Sequence, residues 1–330
     1  MIFADKRNYN ILRGSFIGDY MMFYAFLDSI KRDNMATPSD ATSIDKSKRM
    51  LVVKTFNEHS ERALMGLRKK EECDVINFID KTVCKLNKID FTYGFNSQFG
   101  HSDTTGTASG HRSHAVIKKA VLELLEKNEL LGLWYGKKGS VLELSKYSDL
   151  VNNFKFISPN VDIFLCNELS NYYTIIVVLS SDDKITSSGI AIDSCFDDAL
   201  SLALQEAKLL EWCNYDSSAS TFAKWPAEVH MEAKRHLDNL SARLIKKSAD
   251  RHQYKAKSEL EINKFIRSIY IRMLNASFGK RELTIKCISM ELFNCLPRSE
   301  WLKSSIDKDI IKYFNIDETV IDSTPECILL

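Results

Sequence analysis

The stretch "TGTASGHRSHAVIKKAVLELLEKNELLGLWYGKKG", residues 105–139, decides how the rest of the chain is read. It opens on glycine and small hydroxyl residues and runs without a break into a helical pattern that carries Glu123, Glu126 and Lys127. Just before it, "KIDFTYGF" at 88–95 alternates like a strand. Strand, small-residue loop and helix in that order suit phosphate. A solvated helix face is the other reading of the same carboxylates, and the remainder of the chain has to separate the two.

The order recurs. "KFISPNVDIFLC" (155–166) and "YYTIIVVLSS" (172–181) read as adjacent strands, and "SSGIAIDSCF" (187–196) is a second small-residue loop that leads into a helix from about Asp197 to Trp212. Upstream, residues 34–48 form a polar, turn-rich loop, Val52 to about Lys69 is helical, and Glu72–Asn87 is a mixed stretch. Downstream, a long helical pattern runs from Ala227 to Leu260 with a break near Ser248, and residues 268–292 read as strand, glycine-containing turn, strand. This pattern predicts an α+β fold (α/β mixed), a largely antiparallel sheet with helices packed on it. It is read as one domain over 1–330, whose part 216–330 holds helices plus a strand pair.

Composition narrows the function. The chain has 330 residues, with 45 Lys and Arg against 44 Asp and Glu, so it lacks the broad basic footprint of a dedicated nucleic-acid binder. Eight cysteines are scattered without a C-x-x-C pair or zinc spacing, and read as reduced core thiols. The opening "MIFADKRNYN" is too charged for a secretory signal, and no apolar run approaches the roughly 18 residues of a membrane span. A soluble, cytoplasmic protein with no membrane partner is expected.

The carboxylates carry the chemistry. Glu58, Glu61 and Arg62 project from one helix face with Lys54, and Glu123 and Glu126 share a face on theirs. Like charges at that spacing repel by about 0.2–0.5 kcal/mol, and Mg²⁺, which prefers carboxylate oxygens and accompanies ATP, would relieve them. A plain amphipathic helix accounts for the same pattern, since these residues fall opposite Val52, Phe56, Ala63 and Leu67 in the first helix and beside Lys119 in the second. Glu206 stands apart, inside an apolar stripe of Ala199, Leu202, Ala203, Leu209 and Leu210. A carboxylate there needs a salt-bridge partner, a metal or an opening to a cleft. His59 points away from the cluster and reads as surface or packing, Trp134 and Tyr135 as core, and His101 has no assigned role.

Taken together, "NEHSER" (57–62), "TGTASG…AVLELLEKNELLGLWYGK" (105–137) and "SSGIAIDSCFDDALSLALQE" (187–206) resemble the three blocks of the YcaO family, in the family's order and across about 50–215. The resemblance implies a YcaO-like fold around an ATP site and an enzyme that uses ATP and Mg²⁺ to activate a backbone amide of a ribosomally made precursor peptide. By position it implies Mg²⁺ and ATP ligands in Glu58, Glu61, Glu123 and Glu126. Arg62 is then a phosphate or structural partner, Lys127 a cofactor-binding residue where the family has Arg, Glu206 a third carboxylate of the nucleotide site, and Gly106, Ser109, Gly110, Ser188 and Gly189 let backbone approach phosphate. The "ELLGLWYGK" and "LLEW" stretches look like the microcin-type cyclodehydratase subunit, which forms thiazolines and oxazolines with an E1-like leader-binding subunit and a flavin-dependent dehydrogenase. The chain departs from the family pattern with Lys54 in place of Ser, Ala115 in place of Glu, Lys127 in place of Arg, no Gln after Glu206, and a tail without Pro-x-Pro. A thioamide- or amidine-forming member, and a non-catalytic scaffold subunit, remain open beside the cyclodehydratase.

Overall fold

In the computed structural model, both segments that the sequence reads as small-residue loops are strands. The structure describes residues 9–13, 21–26, 31–32, 35–36, 40–143, 147–215, 225–247, 254–274 and 282–329. In chain order the elements begin with β1 (Tyr9–Arg13), β2 (Met21–Phe26), β3 (Lys31–Arg32), β4 (Met35–Ala36), β5 (Asp40–Asp45) and α1 (Lys48–Met65). There follow β6 (Glu72–Asn77), β7 (Val83–Asn87), a 3₁₀ turn (Lys88–Phe91), β8 (Gly94–Asn96), β9 (Gly100–Ser102), β10 (Thr107–Gly110) and α2 (Ser113–Trp134). The middle of the chain supplies β11 (Ser140–Leu142), α3 (Ser148–Asn153), β12 (Asn160–Cys166), β13 (Tyr173–Ser181), β14 (Lys184–Asp193) and α4 (Phe196–Tyr215). Last come α5 (Ala227–Arg243), β15 (Ile245–Lys247), β16 (Tyr270–Met273), β17 (Leu283–Ile288), α6 (Ser299–Lys303), α7 (Asp309–Tyr313) and α8 (Glu318–Ser323).

The chain divides into two compact units, the first of residues 1–124 and 267–290, the second of 125–266 and 291–330. The first holds a five-stranded sheet in the order β10-β17-β16-β6-β7, antiparallel throughout, and a three-stranded sheet β1-β2-β5. One face of the larger sheet is packed by Phe91 and Phe99 against Val75 and Ile288, with Cys73, Cys84, Leu86, Tyr270 and Leu274 around them. Asn77 ties the turn after β6 to the extended segment that leads into β16, its Nδ2 donating to Arg267 O at 3.1 Å and its Oδ1 accepting from Ile269 N at 3.1 Å.

The second unit holds the order β14-β13-β12-β11-β15, antiparallel except for the β11–β15 pair. The near-continuous apolar run of β13 is explained by its central place, since every residue from Tyr173 to Ser180 is buried. Along α2 the side-chain amide of Asn128 bonds the backbone of Phe293 in both directions, at 2.8 and 2.9 Å. Gly132 leaves room for the Phe314 ring, whose Cζ would stand 2.5 Å from a Cβ at that position. Trp134 and Tyr135 are core side chains, as the sequence suggests, and Trp134 Nε1 donates to Pro325 O at 2.8 Å.

Several local expectations give way. "KIDFTYGF" is a 3₁₀ turn and a short strand, because Asn87 and Asp90 form a reciprocal cap that curls the chain. Within 34–48 lies β5, which α1 covers through Ser43 Oγ bonded to Leu51 O at 3.1 Å and to Thr55 Oγ1 at 2.8 Å. The mixed stretch 72–87 is the β6–β7 hairpin. The helix from Ala227 stops at Arg243, where the chain turns into β15, and 254–260 is not helical; the break near Ser248 lies outside the described residues, as does the turn between β16 and β17. Three short helices, α6 to α8, form the tail that the sequence left without structure.

Segment 187–193 is a strand because α4 sits directly on it. A Cβ on Gly189 would stand 2.1 Å from Ala203 O and 2.3 Å from Ala207 N, both backbone atoms that cannot turn aside. At Gly110 a Cβ would meet only the Val116 Cγ2 methyl, at 3.0 Å. Gly189→Ala is therefore expected to lower stability by about 3 kcal/mol, and Gly110→Ala by less than about 1 kcal/mol, in urea unfolding of the two variants. Equal effects would show that α4 is free to lift from β14.

Candidate functional site

In the first unit the structure brings two of the three sequence blocks together. Helix α1 starts at an N-cap formed by Ser47 and lies between β5 and β10. Its buried side carries Leu51, Thr55, His59, Glu61, Leu64 and Met65, whereas Val52 is exposed and Phe56, Ala63 and Leu67 are half-buried. The wheel that placed Glu61 opposite the apolar side is thus corrected. The helix is flanked by two strands, so the buried arc lies to one side of the Val52-Phe56-Ala63 stripe and takes in both Glu61 and His59.

Glu61 is 5% exposed and is bonded by the hydroxyl and the backbone of Ser109 on β10. Asn57, one turn before, donates from Nδ2 to Ser109 O at 3.2 Å, and Ser109 Oγ lies 2.8 Å from Thr284 Oγ1 on β17. Burial, and then the charge of Glu58, push the Glu61 carboxyl up to about 8, against the opposing pull of Lys119 and the Ser109 bonds. Glu58 itself accepts from Arg62 Nη2 at 3.0 Å, so the arginine expected as a phosphate or structural partner holds a carboxylate one turn away. The Tyr93 hydroxyl lies within the field of Arg62, Asp103, Glu58 and Glu61, and burial raises it well above its ordinary value. Lys54 pairs with Asp45 at 2.8 Å and donates to Ile44 O at 3.0 Å.

The turn before β10 is built around a residue the sequence reading passed over. Lys286 of β17 is fully buried and its Nζ donates to the carbonyls of Asp103, at 2.8 Å, and of Thr105. Gly106 then adopts φ +75°, and a Cβ there would stand 2.9 Å from Cys287 O. Glu123 is half-buried on α2 and acts on the Cys287 thiol, which burial pushes up to about 12. The only sequence signal for Lys286 was a lysine inside the apolar run "LTIKCI".

In the second unit Glu206 meets the need that its position creates. Its Oε2 accepts from Ile190 N at 2.8 Å on β14, beside Gly189 and the buried Ser188. The stripe drawn for α4 is corrected in part: Leu202 is 45% exposed, and Leu200, Leu204 and Ala207 face inward instead. The same inward face carries a pair that the sequence reading missed. Lys208 Nζ meets Glu211 Oε2 at 2.8 Å and Lys155 O at 2.9 Å, while Glu211 Oε1 accepts from Ile157 N, Ser158 N and Ser158 Oγ at 2.7–3.0 Å. On α2, Glu126 and Lys127 pair at 3.0 Å. A cleft of about 400 Å³ lined by Val141, Leu142, Glu143, Val161, Asp162, Ile163 and Lys246 contains none of the residues assigned from sequence.

The most deeply buried carboxylate of α2 is Glu129, one turn beyond Glu126. Its Oε1 accepts from Leu169 N at 2.7 Å, and its Oε2 has no hydrogen-bond partner among the described residues. Burial raises its carboxyl to about 8. Sequence spacing gave no warning, because Glu129 follows Lys127 and Asn128 in what reads as a polar patch. Among the described residues no three His, Cys, Asp or Glu side chains are grouped so as to hold a metal ion, and no helix is long and apolar enough to cross a membrane.

No protein-family model matches the sequence, and no curated protein matches it. Solved structures do. YcaO from Methanopyrus kandleri, bound with AMPPCP and Mg²⁺, is 11% identical with a TM-score of 0.67 over 87% of this chain and 86% of that one. A chain of the E. coli microcin synthetase McbBCD complex with pro-MccB17 bound is 11% identical with a TM-score of 0.68 over 98% and 96%. A heterocyclase in complex with substrate and cofactor is 9% identical with a TM-score of 0.63, over 86% of this chain and 50% of that one. At these identities the likeness is one of fold: the chain adopts the YcaO fold, an α+β architecture with largely antiparallel sheets, in agreement with the resemblance read from its three blocks.

Glu129 generates a pH dependence. Its carboxyl titrates at about 8 in the folded chain and near its ordinary value of 4.5 when unfolded, so the folded state holds the proton more tightly. The stability it contributes is complete below about pH 4.5 and is lost as pH rises through about 8. Unfolding free energies measured from pH 5 to 9 are expected to fall by roughly a few kcal/mol in the wild type, and Glu129→Gln is expected to remove part of that decline, the rest belonging to Glu61, whose carboxyl burial raises to the same range. An unchanged slope in the variant would assign the dependence to other groups.

Proposed function

We infer that the chain is an ATP- and Mg²⁺-dependent cyclodehydratase subunit that acts on a backbone amide of a ribosomally made peptide. The observation that carries this reading is the meeting of Glu58, Glu61 and Ser109, from two separate sequence blocks, in a chain with the YcaO fold. The neighbours whose structures contain AMPPCP and Mg²⁺, or a pro-peptide within a synthetase complex, support the same cofactors and the same class of substrate.

The donor set suits the metal. Carboxylate oxygens are hard ligands of the kind Mg²⁺ takes, and Glu61, buried beside a like charge, keeps a proton that a cation would displace. In the first unit the reading assigns nucleotide and metal contact to Glu58, Glu61, Arg62, Gly106, Ser109, Gly110 and Glu123. In the second it assigns Glu126, Lys127, Ser188, Gly189 and Glu206. Glu58 and Glu61, which the fold brings together beside Ser109, would offer carboxylate oxygens to Mg²⁺, and the metal would spread the charge of the transferring phosphoryl group. A Cys, Ser or Thr side chain of the peptide adds to the preceding carbonyl, the resulting oxyanion takes the γ-phosphoryl group with release of ADP, and loss of phosphate leaves a thiazoline or oxazoline. The residues of this chain orient the two substrates, and Arg62 and Lys127 exchange their carboxylate partners for phosphate oxygen. An E1-like leader-binding subunit and a flavin-dependent dehydrogenase are the partners this reading requires.

A scaffold subunit is the second reading, and specific contacts favour it. Lys54, Arg62 and Lys127 are each occupied by a carboxylate, Asp45, Glu58 and Glu126 respectively. Calorimetric titration of the full chain with ATP, with and without Mg²⁺, separates the two. Run at pH 7 in buffers of different ionisation enthalpy, it is expected to show Mg²⁺-dependent binding with proton release. Affinity should fall at least tenfold in Glu61→Gln and Glu123→Gln. A folded chain that binds no nucleotide under either condition would be the scaffold.

A further inference from the structure

Strand β17 presents two buried polar side chains, Thr284 and Lys286, on one face, since alternate residues of a strand point the same way. Lys286 gathers the carbonyls of the turn before β10. Thr284 stands directly opposite Ser109 in the pairing of β10 with β17, and their hydroxyl oxygens lie 2.8 Å apart.

Backbone pairing decides where the rest of Ser109 points. Bonds between antiparallel strands join alternate residues, and Cys287 N donates to Gly106 O at 2.8 Å, so the N–H and C=O of Ser109 face away from β17. There α1 receives them. Ser109 O accepts from Asn57 Nδ2 at 3.2 Å, and the backbone N–H and the hydroxyl of Ser109 both meet the Glu61 carboxyl.

The count of protons sets the direction of this chain of groups. An ionised carboxylate only accepts, and a serine hydroxyl has a single proton to give. With Glu61 ionised, Ser109 Oγ gives that proton to the carboxylate, and the contact with Thr284 is then a bond from Thr284 into Ser109. In a buried site a second donor behind the first polarises it and strengthens its bond to the anion.

We propose that Thr284 is a positioning residue for Glu61: its hydroxyl donates to Ser109 Oγ, orders that side chain as a donor, and so favours the ionised form of the Glu61 carboxyl. Its bearing on metal binding rests on the reading of Glu61 as an Mg²⁺ ligand; the ordering of Ser109 does not. The charges of Glu58 on α1 and Lys119 on α2, and the Tyr93 hydroxyl, face the same carboxyl and are left in place when Thr284 alone is changed.

The test is carbon NMR of the full chain labelled at the glutamate carboxyl, the Glu61 signal being the one that Glu61→Gln removes. Thr284→Val and Thr284→Ala delete the hydroxyl, and Thr284→Ser keeps it. In variants whose thermal melts show an intact fold, each hydroxyl-free variant is expected to raise the Glu61 titration midpoint by about half a pH unit, with Thr284→Ser close to wild type. Mg²⁺-dependent ATP affinity at pH 7 should then fall about threefold in the hydroxyl-free variants, and the difference should shrink at pH 9, where Glu61 is ionised in all. A midpoint that stays in place in a folded hydroxyl-free variant, or that Thr284→Ser moves as far, would overturn the proposal. A midpoint that moves as stated in a chain that binds no nucleotide would uphold it and overturn the nucleotide reading alone.

Discussion

Where α4 crosses β14, a Cβ on Gly189 would stand 2.1 Å from Ala203 O, so helix and strand meet backbone to backbone. Everything polar along that seam depends on this closeness. Ser187 Oγ reaches Ala207 O at 2.5 Å, Asn214 Nδ2 reaches Thr186 O at 2.8 Å, and Glu206 Oε2 reaches Ile190 N at 2.8 Å. Deeper along the same helix, the Lys208–Glu211 pair fastens residues 155–158, and its carboxylate and ammonium are matched by backbone and hydroxyl partners. A buried pair so satisfied avoids the desolvation loss that an incomplete one would carry.

The first unit applies a related constraint to different ends. Small side chains in 105–110 let α1 and β17 close on β10, and Lys286 gathers the turn carbonyls from within. The cost of this closeness falls on Glu61, which has little contact with water and a like charge beside it. Ser109 offsets that cost with two hydrogen bonds, and the proton offsets the rest. A carboxyl held neutral in this way is a structural element at rest and an available anion once a cation approaches.

Much of the architecture was legible because its signals were periodic. The helices around Glu58, Glu123 and Glu206, the β12–β13 pair and the β16–β17 pair all follow from hydrophobic spacing. Segments 107–110 and 187–193 were read as loops because glycine and serine carry loop propensity, and tertiary packing overrode it: each segment is a strand with a helix or strand pressed onto it. The candidate site was legible only as residue types. That Glu61 and Ser109 meet is a long-range fact, and no local pattern contains it. Lys286, Glu129 and the Lys208–Glu211 pair escaped for the opposite reason, since a charged residue in an apolar run reads as surface until its partners are known. The place of Thr284 beside Ser109 was equally invisible, because the register between β10 and β17 is not written in either strand.

The bond between Glu206 and Ile190 carries a consequence of its own. Ile190 belongs to β14, the outermost strand of its sheet, and its amide hydrogen is sheltered by a carboxylate where a neighbouring strand would otherwise stand. A ligand that draws Glu206 Oε2 to itself would displace that amide, and the released N–H would become a donor facing the same space. The Ile190 amide is thus a built-in sensor: its exchange with solvent deuterium follows the state of Glu206, and it does so whether or not any chemistry takes place.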